Sequence, residues 1–120
     1  MVMKKALGQQ GEEAAIKFLK KRGYRILERN FRCPLGEIDV VSRHNDTLVF
    51  VEVKTRSSHA YGLPEEAIDY RKQRKLKQLA YYYMKYKGLG FEVKCRFDVV
   101  SVLKDSSING FEIRIIQNAF

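Results

Sequence analysis

The sequence predicts an α/β fold built on a mixed sheet, and three observations carry that expectation. Segments with helical and strand patterning follow one another in the order α-β-β-β-α-β-β. Three strands in succession, with a helix before the fourth, suit a mixed sheet with helices packed on it. The 120 residues are 45% hydrophobic and show no repeat, low-complexity tract or linker, with Pro only at positions 34 and 64. One domain over residues 1–120 is the expectation.

The elements follow in order. From about Lys5 to Arg22, residues Ala14, Ala15, Ile16, Phe18 and Leu19 cluster on one side at about 100° per residue, and Gly23 suits a helix end. Tyr24 to Phe31 (YRILERNF) reads as a strand, and Pro34-Leu35-Gly36 is turn chemistry. Glu37 to Ser42 is a second strand, His44-Asn45-Asp46 a hairpin turn, and Thr47 to Thr55 a third strand rich in Val and Phe. Residues 57–63 (SSHAYGL) read as a loop. Pro64 suits the first turn of a second helix, with Glu65 and Glu66 favourable at its positive end, running to about Lys87 before Gly88 and Gly90. Its stripe of Leu76, Leu79 and Ala80 is expected to continue through Tyr83 onto the sheet. Phe91 to Leu103 holds a strand (RFDVVSVL), and Phe111 to Ile116 is the last.

Charge narrows the partners. Lys and Arg number 23 against 14 Asp and Glu, a formal net charge of +9. A surface this basic attracts polyanions, most often nucleic acid, or is simply an indifferent basic surface. No apolar run approaches the roughly 20 residues needed to cross a bilayer. The start, MVMKKALGQQGEE, lacks the apolar centre of a secretory signal, so a cytoplasmic location is expected. Cys33 and Cys95 have no metal-ligand spacing to each other or to His44 and His59, and read as reduced structural thiols.

The acids are more specific. Strand side chains alternate between faces. In GEIDVV this puts Glu37, Asp39 and Val41 on one face and Ile38 and Val40 on the other. In LVFVEVK it puts Leu48, Phe50, Glu52 and Lys54 on one face, opposite Val49, Val51 and Val53. If the hairpin pairs with its acidic faces on the same side, Asp39 lies near Glu52. Two carboxylates converging on an apolar sheet repel one another, and a divalent cation removes the repulsion. Oxygen ligands of this kind suit magnesium or manganese. An isolated Glu-x-Lys on a strand is usually two solvated charges, but unpaired buried charges in one apolar patch need a reason. On the first helix, Glu12 lies roughly 70° from the centre of the apolar side and can edge toward the sheet, whereas Glu13 faces solvent. Glu12 equally suits a boundary position or a partner of the helix dipole.

Asp39 followed by Glu52-Val53-Lys54 resembles the PD-(D/E)xK nuclease superfamily, which includes restriction endonucleases and Holliday junction resolvases. The pattern is closer still to the YraN family of small bacterial proteins. Gly8 to Glu12, Asn30-Phe31-Arg32, Gly36 to Asp39, Phe50 to Arg56, Lys72-Gln73, Arg96 to Val100 and Asn118-Ala119-Phe120 match it in order over nearly the whole chain. The Pro that names the superfamily is Ile38 here.

The resemblance implies a restriction-endonuclease-like core. Asp39 and Glu52 would bind one or two magnesium or manganese ions, with the Val53 carbonyl as a further ligand and Glu12 helping through the metal or its water. Lys54 would orient the attacking water and stabilise the developing charge. Gln73 resembles a residue on the second helix that supports the site, or is an exposed helix glutamine. Glu37 either supports the site from one pleat away or is a charge at the hairpin edge. Lys54, Arg56, Arg71, Lys72, Arg74 and Lys75 could track phosphates. The function expected is metal-dependent hydrolysis of DNA, with branched or nicked DNA as candidate substrates; two symmetric cuts in a junction would call for a homodimer. The alternative is a nucleic-acid-binding module that does not cleave, and RNA is a third option.

Overall fold

Apolar stripes and turn residues divide this chain into two helices and five strands. The computed structural model describes residues 4–57, 68–90, 92–105 and 110–120. The elements are α1 (Lys4–Lys21), β1 (Tyr24–Cys33), β2 (Gly36–His44), β3 (Thr47–Arg56), α2 (Tyr70–Tyr86), β4 (Cys95–Asp105) and β5 (Gly110–Ile116). The sheet order is β1-β2-β3-β4-β5. Neighbours pair antiparallel except β3 and β4, which run parallel, so the sheet is mixed. Parallel neighbours need a crossover, and α2 lies within it.

Each helix covers one face. Ala15, Ile16 and Leu19 of α1 pack with Tyr24, Val40, Val49, Val51, Val100 and Val102. Leu76, Leu79, Ala80 and Tyr83 of α2 pack with Phe31, Ile38, Val41, Leu48, Phe50 and Phe97. The Val-rich run of β3 is apolar on both faces because it is the central strand and both faces are covered. Tyr83 is buried, as its place in the α2 stripe requires. Two positions set how α1 sits. Gly23, at φ 89°, ends the helix in the left-handed region. At Gly11 a Cβ would stand 2.2 Å from Thr55 Oγ1, so only glycine lets α1 lie directly on β3.

Two expectations need correction. Helix α2 begins at Tyr70 instead of Pro64. Asp69 is its N-cap, extended at φ −77° and ψ 177°, with its carboxylate accepting from the Lys72 N–H. A side-chain acceptor on a free helical N–H is a stronger start signal than a proline several residues upstream. Pro64, Glu65 and Glu66 themselves lie outside the described residues, as do residues 58–63 of the expected loop. Second, Ile38 and Val40 were expected on one face. Ile38 packs under α2 and Val40 under α1, so strict alternation breaks between them, at Asp39.

The far end of the sheet carries a buried polar knot. Asp98, 1% exposed, accepts from Tyr24 Oη at 2.7 Å, Arg96 Nε at 3.0 Å and the Asn118 N–H at 2.9 Å. Arg96 also reaches Tyr24 Oη at 3.0 Å and His44 Nδ1 at 2.9 Å, and His44 stacks on Tyr24. Beyond β5, the Ala119 N–H donates to the Phe97 carbonyl at 2.7 Å and Phe120 stacks on Phe97. One carboxylate thus ties β1, β4 and the C-terminal turn together. Among the described residues no helix is long and apolar enough to cross a membrane.

Asp98→Ala would strand the Arg96 guanidinium and the Tyr24 hydroxyl, and should lower unfolding stability by ~3 kcal/mol in urea titration. Asp46→Ala, which removes an exposed pair with Lys94, should leave the urea midpoint where it was.

Candidate functional site

The break at Asp39 is where the candidate site begins. The β1–β2 ladder pairs Arg29 with Val40 and Phe31 with Ile38, which leaves Asn30 and Asp39 opposite one another. Asn30 has φ 53°, a conformation that Asn tolerates better than most residues. The β2–β3 ladder, in turn, pairs Val40 with Val51 as its last registered partners at this end. Past that point the Asp39 carboxylate takes over from the backbone: its Oδ2 accepts from the Val53 N–H at 2.8 Å. Asp39 therefore sits in the fork between β2 and β3, held by the strand that carries Glu52 and Lys54.

Glu52 is buried, 8% exposed, on the α2 side of β3. Two ammonium groups approach the same oxygen, Oε1: Lys54 Nζ at 3.5 Å and Lys72 Nζ at 3.6 Å. Lys54 comes from the same strand face and Lys72 from the first turn of α2, which the Asp69 cap fixes. Arg56 continues that face of β3, and its Nε is buried without a hydrogen-bond partner among the described residues. A guanidinium N–H on the strand that carries Glu52 and Lys54 can donate to an anionic oxygen.

The carboxylates share one electrostatic environment. Burial pushes the Asp39 carboxyl up to about 7, and the charges of Glu52, then Glu12 and Glu37, push in the same direction, against the Val53 hydrogen bond. Glu12 is also raised, first by burial, with Arg29 opposing and Glu37 repelling. In the orientation that satisfies its neighbours, the Asn30 amide donates to Glu12 Oε1 at 3.0 Å and to Glu37 Oε1 at 2.7 Å. Asn30 thus bridges two acids that would otherwise repel. It had no expected role; its signal was an Asn inside an otherwise regular strand.

The remaining expected residues divide. Glu37 also pairs with Arg32 at 3.4 Å, at the exposed edge of the hairpin. Glu13 faces solvent and pairs with Arg29. Gln73 directs its amide to the Ile68 carbonyl at 3.2 Å, bracing the start of α2 instead of facing the acids. Lys72, expected on phosphate, is turned to Glu52. Arg71, Arg74 and Lys75 are exposed on α2. Among the described residues no group of three or more His, Cys, Asp or Glu side chains converges closely enough to hold a metal ion. Two carboxylates, Asp39 and Glu52, are what the fork offers a cation, with Glu12 and Glu37 gathered around Asn30 beside them. A buried acid pushed toward neutrality by a second acid does fit a divalent ion, since the ion would relieve the repulsion that raises Asp39.

The comparisons with known proteins agree on kinship. The model of the family described as "Uncharacterised protein family UPF0102" matches residues 11–102. A UPF0102 protein of Moorella thermoacetica is 50% identical over 113 residues, covering 94% of this chain and 93% of its own. One of Caldicellulosiruptor saccharolyticus is 49% identical over 117 residues, 98% of each chain. One of Clostridium acetobutylicum is 46% identical over 118 residues, 98% of this chain and 96% of its own. The chain belongs to the UPF0102 family, the one to which the YraN resemblance pointed.

Asp39 yields a stability prediction. An acid whose folded pKa is raised contributes stability that is present in full below its unfolded pKa and lost as pH rises through the folded value, here about 7. In chelator, the stability of Asp39→Asn relative to wild type should therefore grow by ~2 kcal/mol between about pH 5 and about pH 8, read by urea denaturation. A difference that stays constant over that window would mean that Asp39 titrates as an ordinary surface acid.

Proposed function

We propose that this member of the UPF0102 family is a divalent-cation-dependent nuclease that hydrolyses phosphodiester bonds in DNA, on a restriction-endonuclease-like core. The observation that carries the reading is the fork itself. Asp39 is pushed up by burial and then by Glu52, and Glu52 lies buried beside Lys54, with an Arg56 Nε on the same strand that has no partner among the described residues. A β1-β2-β3 meander with a helical crossover into a parallel β4 supports the core expected from the resemblance.

In this reading Asp39 and Glu52, with the Val53 carbonyl, would hold magnesium or manganese, which supplies Lewis acidity and a lowered pKa for water. This chain's own groups do the rest. The Val53 N–H holds Asp39 in place. Lys54, already at Glu52, orients water and stabilises charge that develops on the phosphate. Lys72, which reaches Glu52 from the first turn of α2, would add positive charge beside the site. Arg56 gives its buried Nε to a phosphate oxygen. Arg71, Arg74 and Lys75 contact phosphates further out, which positions the substrate without reading its sequence. Two symmetric cuts would require a homodimer. Strand β5 (FEIRII), at the edge of the sheet, is where two copies would pair.

A second reading has its own observation. Lys54 and Lys72 already neutralise Glu52, and among the described residues only two carboxylates share the fork, which suits a nucleic-acid-binding module that does not cleave.

Purified protein incubated with branched, nicked, single-stranded and duplex DNA separates the two. Product should need magnesium or manganese, stop with chelator, and fall at least ~100-fold for Glu52→Gln and Lys54→Met, about 2.7 kcal/mol of transition-state stabilisation. Both variants should still bind DNA. Equal product from Glu52→Gln would assign the activity to a contaminant, and binding with no product on any substrate would establish the binding module.

A further inference from the structure

Helix α2 carries more aromatic surface than its packing uses. Its inner stripe buries Leu76, Leu79, Ala80 and Tyr83. Besides Tyr70 in the first turn, three more tyrosines lie exposed in its C-terminal half: Tyr81 is 51% exposed, Tyr82 37% and Tyr86 67%. With Leu35 from the β1–β2 turn and with Lys77 and Lys85, they line an open groove of about 870 Å³. We infer that this groove is a platform for an unpaired nucleic-acid strand, on which bases stack against the tyrosine rings and phosphates meet the lysines.

The rings are held in place. Phe31 lies against Tyr82 and Tyr86, with ring centroids 6.4 and 6.0 Å away. Lys85 Nζ sits 5.4 Å from the centre of the Tyr81 ring, and Lys87 Nζ 5.3 Å from that of Tyr86. Cations close to exposed aromatic rings are the combination that single strands use, because every base offers a stacking face and every linkage a negative charge. A duplex keeps its bases stacked on one another and can engage only the lysines.

Charge selects this occupant over others. From Tyr70 to Tyr86 the helix carries six Lys or Arg and no Asp or Glu. A second copy of the chain docked by a two-fold here would oppose these cations to themselves. A bilayer would need the apolar stripe of the helix, which is already buried against the sheet.

The groove lies on the same helix that reaches Glu52. Leu35 precedes the strand that carries Glu37 and Asp39, and Lys72 of the same helix reaches Glu52. Residues 78 to 86 lie about 9–21 Å further along the helix axis than Lys72. If the proposed nuclease reading holds, the substrate is a DNA with an unpaired arm beside duplex. That substrate class rests on the proposed function, whereas binding of the strand does not.

The test is fluorescence anisotropy in chelator, where nothing is cut, with a labelled dT strand of ~15 nucleotides and a duplex of equal length. The double variant Tyr81→Ser/Tyr86→Ser should bind the strand at least ~10-fold more weakly and the duplex within ~2-fold of wild type. Tyr81→Phe/Tyr86→Phe, which keeps both rings, should bind as wild type does. The chain has seven Tyr and no Trp, so quenching of tyrosine emission by the dT strand reports the contact directly. Equal loss for strand and duplex, or no loss for either, would overturn the platform. So would a serine variant whose only defect is a smaller mass in sedimentation, which would assign the face to a second copy, or lost binding to phosphatidylserine vesicles with DNA binding intact. The Glu52→Gln variant should bind the strand normally. Binding as described without cleavage would leave the platform standing and the nuclease reading refuted. Cleavage with unchanged binding in the serine variant would do the reverse.

Discussion

Two carboxylates share the fork where β2 and β3 part, and their repulsion is the constraint around which the rest is arranged. Asp39 fills the gap by taking the Val53 N–H in place of a backbone carbonyl. That contact puts it where burial, and after it the Glu52 charge, raise its pKa to about 7. The fold would be cheaper without this pair. Compensation is gathered on every side: two lysines on Glu52, and Asn30 between Glu12 and Glu37. Gly11 lets α1 rest on β3, which brings Glu12 to the edge of the group. The proposed cation site is the reading that accounts for this cost.

The rest of the structure holds that fork open. Asp98 fixes Tyr24 of β1, Arg96 of β4 and the turn after β5 from the opposite end of the sheet. The central strand β3 is covered on both faces, so its course past Glu52 and Lys54 is set by packing on either side. The basic residues concentrate on α2, whose first turn touches the acids and whose last turns carry exposed rings. The acidic fork and the cationic helix are thus neighbouring parts of one surface.

Much of this was legible in the sequence. The element order could be read because apolar periodicity and turn residues agree along the chain, and the nearness of Asp39 and Glu52 followed from the hairpin they share. The exact placement of Asp39 did not follow, because alternation assumes an unbroken ladder and Asn30 breaks it. The Asn30-Phe31-Arg32 stretch held the clue, since Asn adopts positive φ more readily than most residues. The start of α2 departs from the expectation at Pro64 because the Asp69 side chain caps the helix through the Lys72 N–H. The turn of Lys72 toward Glu52, and the bond between Tyr24 and Asp98 across 74 residues, depend on how distant elements pack. No local pattern in a single sequence carries that information.

The central claim is that the Asp39–Glu52 fork is a cation site. Diffraction from wild-type crystals soaked in manganese, collected at the metal's absorption edge, tests it most directly. The account predicts an anomalous peak between the two carboxylates, with Lys72 displaced from Glu52, and no peak in Asp39→Asn crystals. A fork still closed by Lys54 and Lys72, with manganese bound elsewhere or not at all, would contradict it.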